Sequence, residues 1–407
     1  DGGVGAFIEG ANSSFDNNSG TIKVKSTKDL GLGVYLKNSS EKSIKLGNIE
    51  LEAGSVKVCA ENSVVDFDLT GKESNIINLI AKENSRIKNS ILVGKDSVGV
   101  YLADNTNSFE NTNISIEKNN GASSIGIYLK DGVDYNIDGV NIENNGGVGV
   151  YGKNSSLFYG LESQITLNGN KGVGIGLEES GTGINKGKIF VNGESVALLG
   201  KGLGVKVINE GDIVVSKNGV GISARDGATG INKGDIKVVD GVGMFTDKTS
   251  TIENYGKIDM ENGYGMVGDG KIINSGNIRV NGKGKEIYLT DSYVSNGGKF
   301  STDRDIILDG TVIDITKDNL AFDAKSVSGK IKASSNFALI GDGVNYKVDE
   351  FMKNIVGVEA TSDIKVETSP LFKSKIDETG NLLIKKVAYK DVISGNEFDS
   401  LGEGLDS

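Results

Sequence analysis

The sequence predicts an all-β protein, a single-stranded parallel β-helix in which one chain winds into stacked turns of short strands. Three observations predict it: a repeated glycine-centred apolar strand, a second repeated motif typical of corners, and a composition with 59 Gly and 1 Pro in 407 residues. Glycine is at about twice its usual share, and proline is nearly absent. Because each strand of a β-helix is hydrogen bonded to the turns on both sides, a proline would remove a ladder bond at most positions.

The first repeat is an apolar strand around a central glycine. Side chains alternate between the two faces of a strand, so we expect Val34 and Leu36 to point into the core and Gly33 and Tyr35 to face solvent. The gap of 66 residues between Gly33 and Gly99 equals three periods of 22, which predicts three irregular turns between them. The repeat occupies residues 3–7, 31–36, 97–102, 124–129, 147–151, 172–177, 202–207, 219–224, 241–246 and 263–268.

The second repeat is Asn-x-Gly-x-Ile, whose glycines follow one another at intervals of 24, 23, 22 and 20 residues. Asn and Gly adopt the left-handed conformations that a sharp corner requires at low cost. We therefore predict a structural ladder in which each side-chain amide bonds its counterpart one turn away, with a polar binding strip as the alternative. The ladder residues are Asn185, Asn209, Asn232, Asn254 and Asn274.

The rhythm of the repeats divides the chain into three predicted parts. Residues 1–298 form the β-helical rod, with about 12 turns at the observed period. Residues 299–390 contain ordinary strands and the single proline, Pro370, and residues 391–407 read as an acidic, Gly-rich linker. Since the chain opens inside the pattern, we expect it to be an excised fragment of a longer protein.

The composition excludes several kinds of catalytic site. With no His, the chain contains neither a Ser-His-Asp triad nor a His-ligated metal, and its single cysteine, Cys59, excludes intrachain disulfides. A net charge of −11 disfavours binding to nucleic acid. We expect no cofactor, no metal and no enzymatic activity.

The repeats resemble the passenger domains of type V autotransporters of the classical (Va) kind, most closely the large fusobacterial outer-membrane adhesins. The Gly-Val-Gly-Val-Tyr-Leu strands, the Asn-x-Gly-x-Ile corners and the closing run at residues 389–396 carry this resemblance. It implies a right-handed β-helix and a C-terminal cap at residues 299–390 that acts as an autochaperone-like junction. It also implies export through the protein's own C-terminal β-barrel translocator, which we expect outside this sequence.

By the same resemblance, the chain is a monomeric, surface-exposed or extracellular adhesin of the cell outer membrane. Its expected partners are surface glycans or proteins of other bacteria or of host cells, which would give it roles in cell adhesion, coaggregation and virulence. Two alternatives remain: a polysaccharide-active β-helix enzyme and a toxin-like passenger. For the enzyme, the best carboxylate pair is Asp303 and Asp305 around Arg304, and a solvated, salt-bridged turn explains that pair as well.

The candidate binding residues are aromatic side chains at the outward position two residues after the strand glycine. Together with the glycines they would form a flat face that could stack on sugar rings or dock another chain. The alternative is that tyrosine simply favours exposed strands and stacks on its neighbours in adjacent turns. The tyrosines in this row are Tyr35, Tyr101, Tyr128 and Tyr151.

Overall fold

Parallel strands, stacked turn upon turn, make up the structure, a computed structural model. It describes residues 3–280 with gaps at 18, 26–30, 41–43, 71–72, 119–122 and 275, and beyond 280 the backbone of separate strands. Every regular element in this part is a β-strand, as expected for a parallel β-helix. The described residues contain no apolar helix of membrane-spanning length. The chain divides into two units, residues 1–237 and 238–407, which are described separately.

Each full turn of the first unit contributes one strand to each of three parallel sheets, named sheets 1, 2 and 3 in chain order. Sheet 1 contains Val4–Glu9, Leu32–Lys37, Val56–Glu61, Ile77–Lys82, Val98–Leu102, Ile125–Leu129, Val148–Lys153, Val173–Glu178, Val196–Lys201 and Gly219–Arg225. Sheet 2 contains Asp134–Ile137, Ser156–Tyr159, Gly181–Asn185, Val205–Asn209 and Thr229–Asn232. Sheet 3 contains Val64–Asp66, Arg86–Val93, Ser108–Ile116, Val140–Asn144, Gln164–Leu167, Lys188–Val191 and Asp212–Val215.

Two smaller parallel pairs lie in the first turns, before sheets 2 and 3 begin, and the strand Asp235–Val238 lies at the boundary between the units. The small pairs are Phe15–Asp16 with Ile44–Lys45 and Thr21–Val24 with Asn48–Leu51.

Aliphatic columns fill the interior of the first unit because matching positions pair from turn to turn. In sheet 3, Ile142, Ile165, Ile189 and Ile213 pair in register, and each is at most 2% exposed. Sheet 1 contributes the column Val150, Ile175, Leu198 and Ile222 in the same way. Burying one such side chain contributes roughly 1.5–3 kcal/mol, so this repetition supplies most of the favourable energy of each turn.

The strand glycines point inward, which corrects the expectation that they face solvent. Val34 and Leu36 are fully buried as predicted, but Gly33 is buried as well, next to Val34. The alternation of the strand is therefore interrupted at the glycine. A Cβ on Gly99 would lie 2.5 Å from the carbonyl oxygen of Gly126 in the next turn, and one on Gly126 would lie 2.6 Å from that of Gly149. No side chain fits there without a shift of the backbone.

One predicted glycine-centred strand, residues 202–207, does not lie in sheet 1. Gly202 and Gly204 have positive φ angles of 115° and 89° and form a corner, after which Val205–Asn209 belongs to sheet 2. The sheet 1 strand of that turn is Val196–Lys201, in which Ala197 takes the place of the glycine. The glycine motif marked the wrong segment because the true strand carries an alanine.

The corner asparagines form ladders of side-chain amides. In the first unit Asn185 Nδ2 donates to Asn209 Oδ1 at 2.8 Å, and Asn209 Nδ2 donates to Asn232 Oδ1 at 3.0 Å. In the second unit Asn254 Nδ2 donates to Asn274 Oδ1 at 2.7 Å. All five side chains are 0% exposed. Since a fully buried side chain cannot touch a ligand in solution, these residues do not form the alternative binding strip.

The second unit continues the parallel pairing beyond residue 298. Lys299–Thr302 pairs in parallel with Asn277–Val280, and antiparallel pairing occurs only near the end of the described strands. Asp303, Arg304 and residues 387–407 lie outside the described part, and the predicted domain boundaries stay predictions. The strands are Gly241–Thr246, Thr251–Asn254, Lys257–Met260, Tyr264–Gly268, Lys271–Asn274, Asn277–Val280, Ile287–Thr290, Tyr293–Asn296, Lys299–Thr302, Asp305–Ile313, Ala321–Asp323, Ser326–Ala333, Tyr346–Lys347, Ile364–Glu367, Phe372–Ile376 and Leu382–Lys386.

Candidate binding face

The outer face of sheet 1 in the first unit carries two columns of mostly apolar residues. The residue just before the inward glycine position of each strand forms one column, and the residue three positions later forms the other. The first column contains Val4, Leu32, Val56, Ile77, Val98, Ile125, Val148, Val173, Val196 and Val220. The second contains Phe7, Tyr35, Cys59, Ile80, Tyr101, Tyr128, Tyr151, Gly176, Leu199 and Ser223.

Three of the four predicted tyrosines lie side by side in this second column. The ring centroids of Tyr101 and Tyr128 are 5.5 Å apart with the planes at 25°, and those of Tyr128 and Tyr151 are 5.4 Å apart with the planes at 50°. All three rings are half-buried. We call these rings, together with their neighbours in the first column, the tyrosine patch: Tyr101, Tyr128, Tyr151, Val98, Ile125 and Val148.

Tyr35 does not join the patch. Cys59 and Ile80, both half-buried, occupy the two turns between Tyr35 and Tyr101 in the second column. Tyr35 instead contacts Phe7, with ring centroids 5.3 Å apart. The aromatic row predicted from the sequence is therefore divided by two of the three turns whose repeat is hidden.

The hydroxyl groups of the patch differ in their partners. Tyr151 donates to Glu178 Oε2 at 3.0 Å, whereas the hydroxyls of Tyr101 and Tyr128 have no hydrogen-bonding partner among the described residues. Burial raises the pKa of Tyr101 and, together with the bond to Glu178, that of Tyr151. The phenols of Tyr101 and Tyr151 are therefore neutral at physiological pH.

The packing of the rings limits what the patch can bind. Tyr128 lies between two tyrosines, one stacked on it at 25° and the other tilted by 50°, and the inward glycines contribute no bare backbone strip. A sugar stacks on an open ring face, and the central ring has none to offer. Together with the methyl groups of Val98, Ile125 and Val148, the three half-buried rings present a flat apolar strip.

A ladder of alternating charges runs beside Tyr35 at the end of the strands. Lys37 Nζ lies 4.0 Å from Glu9 and 3.7 Å from Glu61, and Lys82 forms a close ion pair with Glu61. Tyr35 donates to Glu61, and Lys82 lies 5.4 Å from the centre of the tyrosine ring. The hydrogen bonds from Lys82 and Tyr35 lower the pKa of Glu61, and the bond to Glu61 raises the pKa of Lys82.

Replacing Glu61 by glutamine should reduce the pH dependence of stability. Because the folded-state pKa of Glu61 lies below its ordinary value of 4.5, its charged form stabilises the fold at neutral pH, and this contribution is lost as the pH falls through the lowered pKa. We expect the thermal midpoint of Glu61→Gln to lie below that of the native chain at pH 7 and to approach it at pH 3. Glu162→Gln, at an exposed site, is the control, and equal differences at both pH values would contradict the assignment.

A second ladder of buried polar residues, which the sequence repeats did not predict, lies at another corner of the turns. The backbone N–H of Ser39 donates to Ser63 Oγ at 3.0 Å, that of Ser63 to Ser85 Oγ at 3.3 Å, and that of Ser85 to Asn107 Oδ1 at 3.0 Å. Ser39, Ser63 and Ser85 each follow an asparagine with positive φ at the end of a sheet 1 strand. The recurring Asn-Ser dipeptide, which also occurs at Asn154-Ser155, was the signal that could have located this corner.

Comparison with known proteins gives the family of the chain. The described residues contain no group of three or more acidic or cysteine side chains that could hold a metal ion. None of the curated proteins is a significant match to the chain. Residues 2–266 match the family model of the BigA third pectate lyase-like domain, an adhesin-like domain of bacterial surface proteins. Since this match covers well over half of a chain that folds as a parallel β-helix, the chain belongs to the family of the BigA third pectate lyase-like domain.

Proposed function

We propose that the chain is a non-enzymatic passenger segment of a type V autotransporter adhesin, held at the bacterial outer surface and binding partners through the outer face of sheet 1. The observation that carries the proposal is the tyrosine patch. Three aromatic and three β-branched residues face outward in register, although charged residues would make a more soluble surface there. Membership in a family of adhesin-like surface domains supports the same function.

The proposed partner is a protein on another bacterium or on a host cell. A partner with its own apolar strip would cover the rings and methyl groups. The hydroxyls of Tyr101 and Tyr128, which have no hydrogen-bonding partner among the described residues, would accept or donate hydrogen bonds at the rim. Each contact of this kind is weak. An adhesin displayed in many copies gains its strength from simultaneous contacts, since linked binding events raise the effective concentration of each further one.

The test replaces Tyr101, Tyr128 and Tyr151 together by serine in the purified chain. We expect cell binding to fall at least about tenfold, because buried aromatic residues carry most of the energy of a typical interface. Binding of the labelled chain to intact partner cells is measured by flow cytometry, and circular dichroism verifies the fold. Tyr255→Ser, at a tyrosine that is 50% exposed outside the patch, is the matched control. Unchanged binding by the folded triple variant would overturn the proposal.

A polysaccharide-active enzyme is the second candidate, favoured by the pectate lyase-like description of the family. The carboxylate pair proposed for it, Asp303 and Asp305, includes a residue outside the described part of the chain. Incubating the chain with polygalacturonate and with mixed cell-wall glycans tests this alternative. New reducing or unsaturated ends that disappear in Asp303→Asn and Asp305→Asn would favour the enzyme over the adhesin.

A further inference from the structure

Two polar side chains interrupt the inward glycine column of sheet 1. Lys57 and Asn78 stand where other turns have Gly33, Gly99 or Ala197, and they are 4% and 1% exposed. Val56 pairs with Ile77 and Val58 with Leu79, so Lys57 and Asn78 are direct neighbours in adjacent turns. Adjacent strands lie about 4.8 Å apart, a distance that the four-carbon stem of lysine can span.

The lysine of this pair has a charged partner in Glu73. Its Nζ lies 3.0 Å from Glu73 Oε2, and the side chains of Lys57 and Glu73 are 5% and 25% exposed. The segment that carries Glu73 is held in place because the hydroxyl of Ser97 donates to the backbone carbonyl of Glu73 at 3.2 Å. A carboxylate in this position can accept a proton from the lysine and return it to another group.

The asparagine of the pair is held by its amide nitrogen alone. Asn78 Nδ2 donates to the carbonyl oxygens of Leu92 at 3.2 Å and Val98 at 3.4 Å. Its Oδ1 is buried and has no hydrogen-bonding partner among the described residues. Val98 belongs to the following turn of sheet 1, so the amide nitrogen bonds across to that turn. Buried polar atoms normally find a partner, so this vacant acceptor is unusual.

We propose that Lys57, Asn78 and Glu73 form a site where an intramolecular isopeptide bond joins two neighbouring turns. Glu73 accepts a proton from the Lys57 ammonium group, and the neutral Nζ attacks Cγ of Asn78. The Nζ–Cγ bond forms, the Cγ–Nδ2 bond breaks, and the leaving nitrogen departs as ammonium with the protons that Nζ and Glu73 give up. Glu73 ends as the carboxylate it was at the start, so no oxidant or other co-reactant is needed.

Such a bond would covalently cross-link two turns of the β-helix at the point where the inward glycine column is interrupted. The single cysteine excludes an intrachain disulfide, whereas an amide between side chains needs no cysteine. The reaction requires burial and alignment of the three groups, and both arise only after the two turns have stacked. The cross-link would therefore form after folding and hold the two turns together under mechanical force.

Intact-mass spectrometry of the full chain after folding tests the proposal. We expect a product lighter by about 17 Da, the mass of ammonia. Tryptic peptides should show Lys57 uncleaved and joined to the peptide that contains Asn78. Asn-Gly sequences such as Asn168-Gly169 lose the same mass when they form a succinimide, so the position of the bond is established by fragmentation.

Three variants serve as controls. Lys57→Arg keeps the positive charge and Asn78→Ala matches Ala197 in the same column, and both should retain the full mass. Glu73→Gln should fold and cross-link at least tenfold more slowly, as expected when a general base is removed. A native chain that is folded and has free Lys57 and Asn78 side chains after prolonged incubation would overturn the proposal. A mass loss that persists in Lys57→Arg would assign that loss to succinimide formation and overturn it equally.

Discussion

Replacing Gly126 by alanine is expected to lower the free energy of unfolding by about 2–3 kcal/mol, the usual cost of forcing an atom into a packed interior. The added Cβ would lie 2.6 Å from the carbonyl oxygen of Gly149 and 3.4 Å from Cδ1 of Ile116. The carbonyl belongs to the backbone of the next turn, so relief requires the two turns to separate. Urea denaturation followed by circular dichroism measures the loss.

Gly176 provides the matched control for this substitution, because it is a strand glycine at an outward position. A Cβ there would meet Val173 at 3.4 Å, Val148 at 3.7 Å and the ring of Tyr151 at 4.0 Å, all ordinary contacts. Gly176→Ala should leave stability unchanged or raise it by about 0.5–1 kcal/mol, since alanine loses less backbone freedom on folding. Equal effects of the two substitutions would contradict the inward placement of Gly126.

Replacing Asn209 by alanine is expected to cost about 3 kcal/mol of unfolding free energy. Asn209 accepts a hydrogen bond from Asn185 and donates to Asn232 and to the carbonyl oxygen of Gly211 at 2.9 Å, in an environment with no exposed area. Alanine supplies none of these bonds, and each buried polar group that loses a partner costs about 1–3 kcal/mol. The shift of the urea midpoint measures the effect.

An exposed asparagine of the same unit is the control that distinguishes loss of the ladder from loss of any asparagine. Asn136 lies on the outer side of Asp134–Ile137, and its side chain makes no hydrogen bond to the described residues. Asn136→Ala should change stability by less than about 0.5 kcal/mol, as surface substitutions usually do. Should Asn209→Ala prove as mild as Asn136→Ala, the ladder would not contribute to stability as argued.

The sequence was enough to predict the parallel β-helix and the position of its asparagine corners. The conformation of a corner depends on a few adjacent residues, and Asn185 and Asn209 lie in the same short motif. A regular interval between identical corners is compatible with few folds other than stacked turns. Inner aliphatic residues such as Val34 and Leu36 followed from the alternation of side chains within the glycine-centred strand.

The direction of the glycines and the extent of the aromatic row could not be predicted in this way. Strict alternation places Gly99 on the outside, but Gly99 and Val100 are both buried because the in-out alternation of the strand is interrupted there. That interruption depends on the close approach of the next turn, which no single repeat contains. The division of the tyrosine row likewise depends on Cys59 and Ile80, which lie in turns without a recognisable motif.

The residue-by-residue pairing of successive turns has a consequence for how such genes can change. Val148–Lys153 pairs with Val173–Glu178, and that strand pairs with Val196–Lys201, always at equivalent positions. If one whole turn were deleted, the turns on either side of it would still pair at equivalent positions. If half a turn were deleted, strands of different sheets would be placed next to each other. Recombination between similar stretches of DNA can therefore add or remove whole turns, and proteins of this kind can differ in length while keeping the same cross-section.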